Sequence, residues 1–445
     1  MSTDSPRFVR TGLRSAAAAS ALALTLPLAP TAAAQDVAQE LLPEDSLIQD
    51  VVAGATGFPP MGAPSIIQAQ EDAPVDENGA PIPQPFPADY IARAYPSDMS
   101  AEGIFYHSVV DPFRDLEENH PEILEQNLEI VVAINNAARD DRGAQLLALA
   151  DDHDDPLVNL SAGFGANLGA HFRDAFAEGR LPKTTALLSG NLARAGGIAS
   201  SPFAAQYTYA YDRPFVVAPD RIERYYRDEA GDDDPYSETP AYPSGHTNKA
   251  AWTASLMSVM LPEVAPQIQA RSSEAGQSRL VMGVHYPLDV MGGRMMGNQA
   301  AADRWADPQF RPLIEAAAGE LRAELEWRCG ATIAECVAAD TPYMTDDAAV
   351  AQYTERMTYG FPQIYDVNRE IVIPAGYAGL LEPMFPELTE EQRNRIIAAT
   401  AIEAGYPLTP AEGSAEHVRV NMAAAMAADV TVNADGSLIV NGVPA

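Results

Sequence analysis

Between residues 118 and 306 apolar side chains recur at a spacing near 3.6. The pattern predicts helices over 118–138, 140–150, 161–178, 184–195, 247–261, 264–281 and 288–306. In the fifth of these, Trp252, Leu256, Val259 and Met260 fall at i, i+4, i+7 and i+8, which predicts one buried stripe. Strict alternation is absent from this region, so the expected fold class is all-α, a compact helical bundle over 115–326. The flanks have a different texture. Residues 35–114 are rich in proline and small residues (Phe58-Pro59-Pro60, Pro81 to Pro87) and predict an extended arm or linker. Residues 327–445 predict a small mixed C-terminal module. In it Thr389 precedes Glu390 and Glu391 at the start of a helix running to about Ala404. Val430-Thr431-Val432 and Leu438-Ile439-Val440 flank Asp435-Gly436 as a β-hairpin.

The first residues carry an address. Arg7, Arg10 and Arg14 form a positive segment, Ala16 to Leu28 an apolar one, and Ala32-Ala33-Ala34 a small-residue cleavage site. Residues 1–34 are therefore expected to be a signal peptide, and the run, broken by Pro27 and Pro30, is too short for an anchor. The expected location is periplasmic or secreted, without integral membrane association after cleavage.

Charge narrows the partners. The 445 residues hold 28 Lys and Arg against 62 Asp and Glu, a formal net charge of −34, and losing the signal peptide moves it to −36. Such a surface repels phosphate backbones and anionic headgroups, so nucleic-acid binding is not expected. Cys329 and Cys336, the chain's two cysteines, would form a local disulfide in an oxidising compartment. Closing so short a loop is worth about 2.5 kcal/mol in the chain-entropy model.

Two of the seven histidines stand in chemically suggestive company. His246 closes Pro243-Ser244-Gly245-His246 at the start of a predicted helix. His285 lies in Ser278-Arg279-x5-His285-x3-Asp289, and Arg213-Pro214 stands upstream. His171 reads as a packing or capping residue. His107, His120, His153 and His417 lie in polar or loop-like stretches. Ser244 and Gly245 at a helix N-terminus offer backbone N–H groups and the positive end of the dipole to an anion. Arg213 and Arg279 add planar forks that match phosphate oxygens. Asp289 can accept from one ring nitrogen of His285 and leave the other free to attack, while His246 can protonate a leaving oxygen and then activate water. Phosphoryl transfer through a phosphohistidine, with no metal or cofactor, is the chemistry this set describes.

Together these motifs resemble the signature of the bacterial class A non-specific acid phosphatases, in the type 2 phosphatidic acid phosphatase and vanadium haloperoxidase superfamily. The family pattern is Lys-x6-Arg-Pro, Pro-Ser-Gly-His, then Ser-Arg-x5-His-x3-Asp. Here gaps of 28 and 31 residues separate the three motifs, and Tyr242, Thr247, Gly276-Gln277 and Gly283 extend the likeness over about 125–325. The resemblance implies an exported acid phosphatase acting on small phosphate esters. It makes His285 the nucleophile, Asp289 its orienting partner and His246 the general acid, with Arg213, Ser244, Gly245 and Arg279 on the phosphate. It also implies inhibition by vanadate and, as often in this family, a homodimer. One position departs: six residues before Arg213 the family has a phosphate-binding lysine and this chain has Gln206. Lys249, one turn beyond His246, is a candidate replacement. Two alternatives follow: a vanadium-dependent haloperoxidase, with vanadate as cofactor, and a catalytically weakened phosphate-binding or scaffold protein.

Overall fold

The computed structural model describes residues 74–99, 106–190, 193–196, 200–226, 236 and 239–445. The predicted signal peptide, the arm up to residue 73 and the acidic run Asp228 to Asp234 lie outside the described residues.

Helices dominate. Those that build the bundle are α1 (Pro121–Ala137), α2 (Arg142–His153), α3 (Ala166–Ala177), α4 (Pro182–Leu188), α5 (Gly245–Met260), α6 (Ala265–Val281), α7 (Pro287–Ala306) and α8 (Arg311–Cys329). C-terminal to them come α9 (Asp346–Thr358), α10 (Glu390–Thr400) and a meander of β1 (Val430–Val432), β2 (Leu438–Val440) and β3 (Val443–Pro444). Local chemistry marks the ends. Proline occupies the first turn of α1, α4, α6, α7 and α8, where its missing N–H costs no hydrogen bond. Thr389 and Gln392 cap each other at the start of α10.

The centre of the bundle is α5, held between α6 and α7 with α8 beside it. Its predicted stripe is real but too narrow a description, because every residue from Ala250 to Met260 is buried. The polar ones are satisfied across the interface: the Ser255 hydroxyl donates to Asn298 Oδ1 of α7 at 3.0 Å. Close approach of α5 and α7 depends on glycine. A Cβ on Gly293 would lie 2.5 Å from the Ser244 carbonyl oxygen, and one on Gly297 2.4 Å from that of Asn248. The packing carries Met291, Met295, Met296 and Trp305 of α7 into the core.

Both flanks join that core. Tyr95, Val109, Val110 and Phe113 from the N-terminal side are buried in it, as are Tyr353, Met357, Tyr377, Ile396, Ile397, Leu438 and Val440 from the C-terminal side. The described part of the arm carries short helices, Ala88–Ala92 and His107–Val110, and docks through Asp98, which bridges Arg194 and Arg304 at 2.6 and 2.8 Å. Arg294 of α7 donates to the Arg356 and Met357 carbonyls at the end of α9. Cys329 and Cys336 form a disulfide between the end of α8 and the helix Ile333–Ala339. No helix among the described residues is long and apolar enough to cross a membrane.

Candidate active site

The turn from α6 into α7 places His285. Gly283 adopts φ +67°, and any side chain there would strike Ile222 at 2.2 Å, so glycine alone fits two residues before the histidine. His285 then precedes the N-cap residue Tyr286, Pro287 opens α7 and Asp289 falls in its first turn. Asp289 Oδ2 accepts from the Tyr286 N–H at 2.8 Å and from His285 Nδ1 at 3.1 Å. The x3 spacing is thus the distance from the residue before a helix cap to the third helical position, where the dipole also favours a carboxylate.

The other nitrogen of His285 has a single possible role. Arg213 Nη1 stands 3.2 Å from Nε2, and a guanidinium can only donate, so Nε2 carries the lone pair and Nδ1 the hydrogen. Arg213 is itself held by the carbonyls of Thr239, Pro240 and Val284 at 2.7 to 3.0 Å. His285 is 1% exposed. Burial and the two arginines 213 and 279 depress its pKa well below the ordinary imidazole value, so the ring is neutral. Burial raises Asp289 to about 8 against the pull of the Tyr286 N–H and Arg213. Arg213, lowered by burial to about 10, stays charged near neutrality.

Arg279 completes a cationic floor. It is fully buried, and its Nε and Nη1 have no hydrogen-bond partner among the described residues, so two donors await an acceptor. Ser244 is the N-cap of α5: its hydroxyl accepts from the Thr247 N–H at 3.3 Å, while its own N–H donates to the Asp289 carbonyl at 2.9 Å. The backbone N–H groups of Gly245 and His246 remain as the helix-terminal donors. The peptide bond before Pro243 is cis.

His246 sits at the mouth, its side chain 37% exposed. Removal from water and Arg279 hold it below the ordinary imidazole value, and Asp152 pulls the other way. Gln206, on the helix Phe203–Tyr209, donates from Nε2 to the Pro243 carbonyl at 3.0 Å and so borders the Pro-Ser-Gly-His turn. Lys249 is half-buried, with Asp155 the anion that supports its charge.

Three contributors escape the motif reading. Asp152, in the last turn of α2, accepts from Arg279 Nη2 at 2.7 Å and from the Tyr236 hydroxyl, and its Oδ1 lies 3.7 Å from His246 Nε2. Tyr236 accepts from Arg279 at 3.1 Å and presents its ring face to Arg213 at 4.8 Å. Asp151 anchors the third motif from behind, accepting from Arg271 and from the Ser278 hydroxyl at 2.7 Å. A signal was present: the pair Asp151-Asp152 stands at the C-terminal end of a helix, where the dipole disfavours anions unless cations answer them.

Residues 186–307, which hold every motif of this site, match the family model described as the PAP2 superfamily. Among curated proteins the chain is 31% identical over 176 residues to non-specific acid phosphatases of Salmonella typhi and Salmonella typhimurium. That alignment covers 40% of this chain and 64% of each relative. It is 31% identical over 170 residues to the non-specific acid phosphatase of Providencia stuartii, covering 37% of this chain and 63% of the relative. The chain thus spans just under two thirds of the length of these relatives. Over residues 186–307, the helical segment that carries the site, the chain is similar to the PAP2 superfamily.

Proposed function

We propose that the chain is an exported phosphomonoesterase of the acid phosphatase type that works through a phosphohistidine on His285. The observation that carries this reading is the His285 environment: a buried neutral imidazole, oriented through Nδ1 by Asp289 and presenting a lone pair at Nε2 to the Arg213 guanidinium. A phosphate ester entering the floor takes over the donors of Arg213, the unpartnered donors of Arg279 and the N–H groups of Gly245 and His246. Nε2 attacks phosphorus, the Nε2–P bond forms and the P–O bond to the leaving group breaks as His246 gives that oxygen its proton. Water then attacks phosphorus from the vacated side, gives a proton to His246, and the Nε2–P bond breaks to release inorganic phosphate. The arginines supply the positive charge, and we read the reaction as needing no metal or cofactor.

The relatives are named non-specific acid phosphatases, which supports small phosphate esters as the substrate class. The signal-peptide pattern of residues 1–34 supports export to the periplasm or beyond. The test is p-nitrophenyl phosphate hydrolysis from acidic to neutral pH by the protein and by its His285→Ala variant. The expected loss in the variant is at least about 10³-fold. Vanadate, which mimics the five-coordinate transition state, is expected to inhibit competitively. Turnover that survives in His285→Ala would sink the phosphohistidine reading.

A further inference from the structure

Asp152 is a carboxylate at the active-site wall that belongs to none of the three motifs. Its side chain is 8% exposed. Burial alone would push its pKa up, but Arg279 and the Tyr236 hydroxyl outweigh burial and hold it below the usual carboxylate range, so it is an anion at every relevant pH. Arg279 Nη2 fixes Oδ1 at 2.7 Å and the Tyr236 hydroxyl bonds the same atom, which leaves the carboxylate little freedom to turn. That fixed Oδ1 lies 3.7 Å from His246 Nε2.

His246 needs such a neighbour. Arg279 from α6 and Lys249 from its own helix both disfavour its protonated form. The Tyr236 ring, centred 6.2 Å away, brings no charge, and His285 across the site is neutral. His153, 3.5 Å from the other carboxylate oxygen, is itself on the Asp152 side. Of these groups Asp152 alone is an anion. Among them it is the group whose charge favours the protonated imidazole.

We propose that Asp152 is a positioning residue for His246, holding the imidazole beside the leaving oxygen and stabilising its charged form until the proton is given up. The proposal rests on the phosphatase reading above. In the first step the imidazolium proton passes to the leaving oxygen. In the second the neutral ring takes a proton from water, and Asp152 again balances the charge that results. Neither step transfers a proton to Asp152 itself.

The test is Asp152→Asn, which keeps shape and removes charge. Two readouts are taken: the pH profile of kcat for p-nitrophenyl phosphate, and the titration of the His246 imidazole by NMR. An opposite charge at this range moves a pKa by about one to two units. The alkaline limb of kcat and the imidazole midpoint are therefore both expected to move down by about that amount, and Asp152→Glu to recover part of it. An unchanged limb and midpoint, with only weaker inhibition by inorganic phosphate, would assign Asp152 to Arg279 alone and overturn the proposal. Should Asp152→Asn fail to fold by circular dichroism, the wild-type protein decides. With inorganic phosphate bound, a His246 ring that is still neutral at about pH 5 overturns the proposal, and a charged one supports it. If wild type hydrolyses nothing while the imidazole midpoint still falls in Asp152→Asn, the phosphatase reading fails and the electrostatic pairing stands.

Discussion

The Ser244 N–H donates to the Asp289 carbonyl oxygen at 2.9 Å, so the cap of α5 and the first turn of α7 are joined by one backbone hydrogen bond. This bond ties the helix whose first turn carries His246 to the helix whose first turn carries Asp289, the partner of His285 Nδ1. The distance between proton donor and nucleophile is thereby set by backbone, which does not change rotamer.

Gly293→Ala tests that junction. The added methyl would stand 2.5 Å from the Ser244 carbonyl oxygen and 3.1 Å from the Asn248 N, both backbone atoms that cannot swing aside. Forcing α7 away from α5 costs about 1–3 kcal/mol of stability as overpacking. It should also lower kcat more than the stability loss explains, because Ser244 and Asp289 separate with the helices. Urea denaturation and steady-state kinetics below the unfolding midpoint measure the two effects. A variant as stable and active as wild type would show that the helices slide without consequence.

His417 makes a second prediction, far from the chemistry. Its ring lies against Tyr377, whose hydroxyl is 3.3 Å from Nδ1, and burial lowers its pKa to about 4. In the unfolded chain a histidine titrates near 6.5. Below that pH the unfolded state binds a proton the folded state refuses, so the contribution of His417 is complete above about 6.5 and fades as pH falls toward 4. Part of the ring meets solvent, which brings the loss to about 2 kcal/mol. His417→Gln, which does not titrate, should therefore lose less stability than wild type between pH 7 and pH 4.5 in urea denaturation. Parallel losses would mean that the ring accepts its proton without unfolding.

The legibility of this chain was uneven for physical reasons. The span predicted over 264–281 matches α6, Ala265–Val281, where a proline in the first turn marks the helix start. Periodicity misjudged α5, since Thr253, Ser255 and Ser258 look like a solvent face and are buried against neighbouring helices. In the arm Tyr95 and Phe113 sit among prolines and short turns, and no repeat announces that they are core. The relation of His285 to Asp289 was readable because it is local, one helix start written in five residues. Asp152 was not, because its partners Arg279 and Tyr236 lie 127 and 84 residues away in sequence, and only the packing of α2 on α6 brings them together.

Gln206 gives the most direct test of how complete the anion site is. Its amide reaches the Pro243 carbonyl at 3.0 Å, which puts the residue beside the turn that receives the phosphate, yet it brings no charge. Lys249 does not replace it in any evident way, being half-buried with Asp155 as its supporting anion. Gln206→Lys should then lower both the KM for p-nitrophenyl phosphate and the inhibition constant of inorganic phosphate by up to about tenfold, equivalent to about 1.4 kcal/mol. Part of the gain should vanish at high salt, because position 206 is only partly buried and its charge is screened. Gln206→Met, of similar length and neutral, separates charge from reach: it should leave both constants within about twofold of wild type, on the scale of a weak neutral contact. If lysine and methionine behave alike, position 206 does not touch the substrate. The phosphate would then be held by Arg213, Arg279 and the start of α5 alone.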